Sequence, residues 1–319
     1  MSADGSIAGV RFKGDCNMSK PILTRYIQPD VLSRVEQYAF APTGLVEGTL
    51  AGAHKSPFHG FAVEFASHRE YTAGDDIKHL DWKVYYRNDR HVIKQYEMET
   101  NLVCHLMLDV SASMRFGEED KQKLLYASRM AVTLGYLIVE RSDKVSLTLF
   151  DEEVRESLKP SNTMGQILKM TETLEKIEPV KKTKIGASLL DLASRARRRE
   201  IVVILSDFLV DLEDMEKAIQ RLRYDQHEVV LMQVMHHDEL HFNIPGMVKF
   251  VGLEDEDIFL TRPDDVRVAY LDALKKHSEE LDRICEANRC ERVVCDTSRS
   301  MAEMFADYLQ QRTLTHRRW

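Results

Sequence analysis

A regular alternation of short apolar runs and amphipathic helical stretches begins near residue 102, and it constrains the fold more than any other feature. Leu102-Val103-Cys104-His105-Leu106-Met107-Leu108 reads as a buried strand ending at Asp109. From Glu118 to Glu140, Leu124, Ala127, Met130, Ala131, Leu134, Leu137 and Ile138 recur at three- and four-residue steps, which predicts an amphipathic helix. Lys144 to Phe150 is a strand, and Asp151-Glu152 turns it into a short hairpin strand at Val154 to Leu158. Helices are expected at 162–178, 186–199, 213–224, 264–288 and 299–312. Strands are expected at 201–205, 228–234 and 293–294, with Ile201-Val202-Val203-Ile204-Leu205 ending at Ser206-Asp207. Such alternation implies right-handed βαβ units, hence an α/β fold with a doubly wound, mostly parallel sheet covered on both faces. Its ligand site belongs at the carboxyl ends of the strands, where the strand order reverses, and Asp109 and Asp207 both stand at such ends.

The first hundred residues do not alternate in this way. Residues 1–18 read as a flexible tail, with Met18 a candidate start. Residues 19–100 read as an N-terminal segment packed on the main domain, and 101–315 as the main domain. In the segment, Asp30 is expected to cap a helix through Tyr38 and Asp75-Asp76 a helix through Tyr86, while His91 to Glu99 reads as a strand. Residues 1–17 lack the apolar core of a signal peptide, and no apolar run reaches the ~18 residues of a membrane span, so a cytoplasmic protein is expected. Cys16, Cys104, Cys285, Cys290 and Cys295 are odd in number and form no C-x-x-C, as in a reduced compartment. The net charge of −8 argues against a broad nucleic-acid surface.

The run after the first strand carries the chemistry. In Asp109-Val110-Ser111-Ala112-Ser113, the i, i+2, i+4 spacing turns three oxygens toward one point, which suits a hard cation such as Mg²⁺. Alone the pattern is weak, because each residue is also an ordinary turn or cap residue. Thr183, in a loop just before the helix near Gly186, and Asp207, after the strongest strand, complete a set of oxygen donors. This set resembles the metal-ion-dependent adhesion site of von Willebrand factor A domains. The resemblance implies that Ser111, Ser113 and Thr183 touch the cation, which is Mg²⁺ or another divalent ion such as Mn²⁺ or Ca²⁺. It implies that Asp109 and Asp207 act mainly through water and that a partner's acidic residue fills the sixth position. The loop Lys181-Lys182-Thr183-Lys184 departs from the family's glycine-rich loop, and its lysines suit an acidic partner.

A second stretch, Arg69-Glu70-Tyr71-Thr72-Ala73-Gly74-Asp75-Asp76-Ile77-Lys78-His79-Leu80-Asp81-Trp82, followed by Arg87 and Lys94 to Glu99, resembles the signature of DUF58 proteins, over about residues 44–300. That resemblance implies a von Willebrand A-like domain after the segment. It also implies a partnership with a MoxR-type AAA+ ATPase, regarded as a chaperone that assembles or activates protein complexes. Many members carry N-terminal membrane spans, so this chain is expected to be the soluble short form. Within the signature, Asp75, Asp76 and Asp81 with Arg69 and Arg87 are expected to form a charge network, and Trp82 a packed anchor.

Other clusters read as ordinary surface. His236, His237 and His241 in HHDELH are expected in a solvated loop, because Asn243 and Pro245 follow, although the i, i+4 pair would suit a transition metal on a helix. Arg195, Arg197, Arg198 and Arg199 are expected to end a helix, where cations favour the dipole. No phosphate loop, nucleophile elbow or H-E-x-x-H is present. The expectation is a non-enzymatic, metal-dependent protein-interaction module, with a metal-dependent phosphoester hydrolase as the alternative and RNA binding through the lysine loop and arginine cluster as a third.

Overall fold

Branched and leucine-rich runs, buried on both faces, build the centre of the molecule. The computed structural model describes residues 24–35, 38, 40, 54–55, 64–72, 80–97, 99–100, 102–177, 185–196, 199–242, 248–251, 258–261 and 263–316. The N-terminal part contributes α1 (Pro29–Val35), β1 (His54–Lys55), β2 (Glu64–Glu70), α2 (Trp82–Asn88), β3 (Val92–Glu97) and β4 (Glu99–Thr100). Then follow β5 (Val103–Asp109), α3 (Lys123–Glu140), β6 (Lys144–Phe150), β7 (Val154–Ser161), α4 (Met164–Glu175) and α5 (Ile185–Arg195). The chain continues through β8 (Ile201–Ser206), α6 (Leu212–Tyr224), β9 (Glu228–Met235), α7 (His237–His241), β10 (Val248–Val251) and β11 (Ile258–Thr261). It ends with α8 (Pro263–Asn288), β12 (Glu291–Asp296) and α9 (Met301–His316).

The main sheet has the order β12-β9-β8-β5-β6-β7. All its strands run parallel except β7, which returns antiparallel beside β6. From β5 the chain winds outward through β6 and β7, then crosses back to β8 and winds outward the other way. The order therefore reverses between β5 and β8, as the alternation predicts for a doubly wound sheet.

Side chains alternate between two cores, as the pleat requires. Ile201, Val203 and Leu205 of β8 face one core with α1, α3, α4 and α9, whereas Val202 and Ile204 face the other with α5, α6 and α8. Residues near the amino end join the first core. Tyr26, Val31, Leu32 and Phe40 pack there with Phe305 and Leu309. Arg129 on α3 donates to the carbonyl of Arg25 at 2.9 Å, and the buried Arg312 guanidinium stands over the Phe40 ring while it pairs with Glu228 and Glu291. No described helix is long and apolar enough to cross a membrane. Cys104, Cys285, Cys290 and Cys295 are free thiols, and Cys16 lies outside the described residues.

Three local expectations are corrected. The segment His237–His241 is a helix, not a solvated loop. A capping box explains it: His236 accepts from the Asp238 amide while the Glu239 carboxylate accepts from the His236 amide. Trp82 is no packed anchor. It begins α2 half-exposed, edge-on to Tyr85, and the buried group there is Asp81. Asp81 accepts from the amides of Lys83 and Val84 as the N-cap of α2 and binds His68 at 2.9 Å. Asp75 and Asp76, expected to cap that helix, lie outside the described residues. The first long helix starts at Lys123, after a separate 3₁₀ turn, Glu119–Lys121.

α5 and α6 approach closely at Gly186. A Cβ there would stand 2.8 Å from the Asp214 carbonyl oxygen, and backbone cannot swing aside. Alanine gains up to ~1 kcal/mol of helix propensity over glycine, but the clash outweighs it. Gly186→Ala is expected to cost about 1–3 kcal/mol, read as a lower urea midpoint with an unchanged slope.

Candidate functional site

Asp109 is the last residue of β5 and Asp207 the first after β8, so the reversal point brings both to one sheet edge. Both are fully buried. Asp109 Oδ1 accepts from the Ser111 amide at 2.9 Å, and its Oδ2 accepts from Ser206 Oγ at 2.7 Å. Ser206 Oγ in turn accepts from the Phe208 amide at 3.0 Å, which ties the loops after the two strands together. Ser111 then opens a 3₁₀ turn, Ala112–Arg115, that places Ser113 beside it, with Ser111 Oγ and Ser113 Oγ 3.1 Å apart. Gly117, at φ +98°, lets the loop pass against His236, where a Cβ would stand 2.8 Å from the ring.

The structure adds a residue that sequence reasoning missed. Lys123 is fully buried, and its ammonium donates to Asp207 Oδ2 at 2.9 Å and to Glu239 Oε1 at 2.8 Å. Burial alone would push this lysine's pKa down, but the charges of Asp207 and Glu239 outweigh it and hold the group above its ordinary value. The signal was in the helix pattern. Lys123, Ala127, Met130, Ala131 and Leu134 follow i, i+4, i+7, i+8, i+11, so the apolar stripe contains a lysine. A lysine on a buried stripe requires carboxylates opposite it. Glu239 and Ser206 had no comparable signal.

The cluster carries more negative charge than positive. Among the described residues, Asp207 and Glu239 share the single ammonium of Lys123, and Asp109 lies against Asp207, a carboxylate-rich setting of the kind a divalent cation suits. Burial, with the Asp207 charge beside it, pushes the Asp109 pKa up to about 6 against the hydrogen bonds from Ser206 and Ser111. The hydroxyl pair fits a hard ion: adjacent donors of an octahedral Mg²⁺ at ~2.1 Å stand about 3 Å apart, matching the 3.1 Å between Ser111 and Ser113. Asp109 and Asp207 already hold hydrogen bonds on both oxygens, which suits them to act on a cation through charge and bridging water. The structure thus brings together Asp109, Ser111, Ser113 and Asp207. Thr183 and its flanking lysines lie outside the described residues, as do Arg197 and Arg198.

Two predictions follow from the buried charges. Lys123→Met leaves Asp207 and Glu239 uncompensated and is expected to cost about 3–5 kcal/mol. Adding Asp207→Asn and Glu239→Gln should restore most of the loss in urea titrations, and a single variant as stable as wild type would refute the bridge. For Asp109 the folded pKa is raised, so its stabilising contribution is complete below the unfolded value near ~4 and is lost as pH rises through about 6. Buried His227, its pKa lowered by burial, acts in the opposite sense, so the difference between two proteins is the useful reading. In chelated buffer Asp109→Asn should gain on wild type as pH rises from about 4 to 6, by up to about 3 kcal/mol, and hold that gain above. Added Mg²⁺ should raise the Tm of wild type alone.

Several known proteins are similar to this chain. A family profile described as "Protein of unknown function DUF58" matches residues 67–280, more than half of the chain and narrower than the span expected from the signature. Uncharacterised proteins of Mycobacterium tuberculosis and Mycobacterium bovis are 27% identical over 238 residues, 71% of this chain and 71% of theirs. Among solved structures, an aerotolerance-related membrane protein from Bacteroides fragilis has a TM-score of 0.46 at 19% identity, over 66% of this chain and all of that one. BatB from Bacteroides thetaiotaomicron has a TM-score of 0.44 at 16% identity, over 68% of this chain and all of that one. The SpRpn10 VWA domain has a TM-score of 0.35 at 11% identity, over 66% of this chain and 95% of that one. With more than half of its residues matched by that profile, the chain belongs to the DUF58 family.

Proposed function

We propose that this protein is a non-enzymatic interaction module that holds a divalent cation, Mg²⁺ foremost, at the reversal point of its sheet and there captures an acidic side chain of a protein partner. One observation carries the reading: at the reversal point of the sheet two buried aspartates, Asp109 and Asp207, lie next to a pair of hydroxyls at the spacing of neighbouring cation ligands. A cation bound there keeps positive charge to offer a carboxylate from outside, and the lysines around Thr183 add attraction for such a partner. Ser111 and Ser113 are the direct donors in this reading, Thr183 a third, and Asp109 and Asp207 the charge behind them. The partner is a MoxR-type AAA+ ATPase or its client, and the place of action is the cytoplasm; both come from the family resemblance.

The test is capture from the native host with Mg²⁺ or with chelator, comparing wild type with Asp109→Ala and with Ser113→Ala, whose half-buried hydroxyl is removed at little cost to the fold. The MoxR-type ATPase should be recovered by wild type only with Mg²⁺, and by neither variant. The same partners in every lane would sink the metal-bridging reading. Phosphoesters offered with Mg²⁺ and Mn²⁺ serve as a control, since turnover abolished by Asp207→Ala would place a hydrolase ahead of an adhesion site.

A further inference from the structure

The helix α7 stands at the carboxyl edge of the sheet, directly after β9. It is one and a half turns long, so residues four apart share a face. His237 and His241 are such a pair, and their ring centroids lie 4.4 Å apart. The neighbouring strand β12 ends at Asp296, paired in register with Met235, the last residue of β9. The sheet therefore delivers a carboxylate to the same place. Asp296 Oδ2 faces His237 Nδ1 at 3.2 Å, and its Oδ1 is held by the Ser298 amide at 2.8 Å. One donor atom from each of His237, His241 and Asp296 falls within 4.8 Å of the others.

We propose that His237, His241 and Asp296 form a second cation site, apart from the hydroxyl and carboxylate cluster, which takes a borderline transition metal, Zn²⁺ foremost, with water in the fourth position. The donor chemistry selects the metal: two imidazoles and a carboxylate suit Zn²⁺, whereas hydroxyls and carboxylates alone suit Mg²⁺. The spacing agrees. Tetrahedral donors at ~2.0–2.1 Å from Zn²⁺ lie about 3.3 Å apart, and the His237–Asp296 pair already stands at 3.2 Å. His241 is exposed beside His237, which leaves an open side for water. An ordinary surface pair between His237 and Asp296 would not call for a second imidazole tilted against the first. The supports are rigid: the capping box fixes the start of α7, and Ser298 orients the carboxylate. The same short helix carries Glu239, a partner of Lys123, so a metal seated here also steadies the helix that reaches the first cluster.

The test uses the full chain without a histidine tag, stripped by chelator and dialysed against Zn²⁺ or Co²⁺, with bound metal measured directly. Wild type should retain one equivalent of Zn²⁺ in excess Mg²⁺ and show the intense visible bands of tetrahedral Co²⁺. His241→Ala alters an exposed side chain and Asp296→Asn keeps the shape of its site, so both should fold. Each should weaken Zn²⁺ binding by roughly tenfold to hundredfold or more, at least the loss seen when a supporting group is removed. Asp109→Asn should bind Zn²⁺ as wild type does. No retention by wild type, or equal retention by wild type and both variants, would overturn the proposal. So would loss of Zn²⁺ in Asp109→Asn, which would put the metal at the other cluster.

Discussion

The carboxyl edge of this molecule depends on the compensation of two aspartates that the sheet buries side by side. A doubly wound sheet gathers the ends of its two innermost strands at the reversal point, and here both ends carry a carboxylate. A buried charge is costly without a partner. Lys123 partners one of them, Asp207, from the first turn of a helix whose inward face is mostly apolar. Hydroxyls and amides of the adjoining loops donate to the rest of the carboxylate oxygens.

That requirement orders the surrounding loops. Ser206 serves the Asp109 carboxylate and the Phe208 amide at once, Gln233 donates to the Asp207 carbonyl, and His277 on α8 meets the Phe208 carbonyl. Phe208 itself sits at positive φ in the second core, a conformation a bulky residue holds only when its surroundings fix it. Glu239 joins the arrangement from a third strand's loop, because the cap that folds α7 also aims its carboxylate at Lys123. Local capping and long-range charge pairing thus use the two oxygens of one side chain.

Much of the fold was legible in the residues. The strands at 144–150, 201–205 and 228–234 were predicted nearly to their ends, because an unbroken apolar run, as at 201–205, or a strict two-residue alternation, as at 144–150, has few other uses. Helix ends were less legible: the helix expected from residue 118 starts at Lys123, and the hairpin strand expected to stop at Leu158 runs on to Ser161. Trp82 misled because a large aromatic residue suggests burial, whereas the polar Asp81 beside it is the buried group. HHDELH misled because composition favoured a loop, while a histidine side chain as cap is a rare signal.

The sequence by itself determined the alternation, hence the doubly wound sheet, and the placement of Asp109, Ser111, Ser113 and Asp207 at strand ends. Those follow from periodicity and short-range spacing, which are local. Only the tertiary structure decided that Lys123 neutralises Asp207, that Glu239 shares it, and that Asp296 meets His237 beside His241. Each of these pairs residues at least 55 positions apart. Their meeting depends on strand order and on the register of β9 with β12, and no pattern within one segment encodes either.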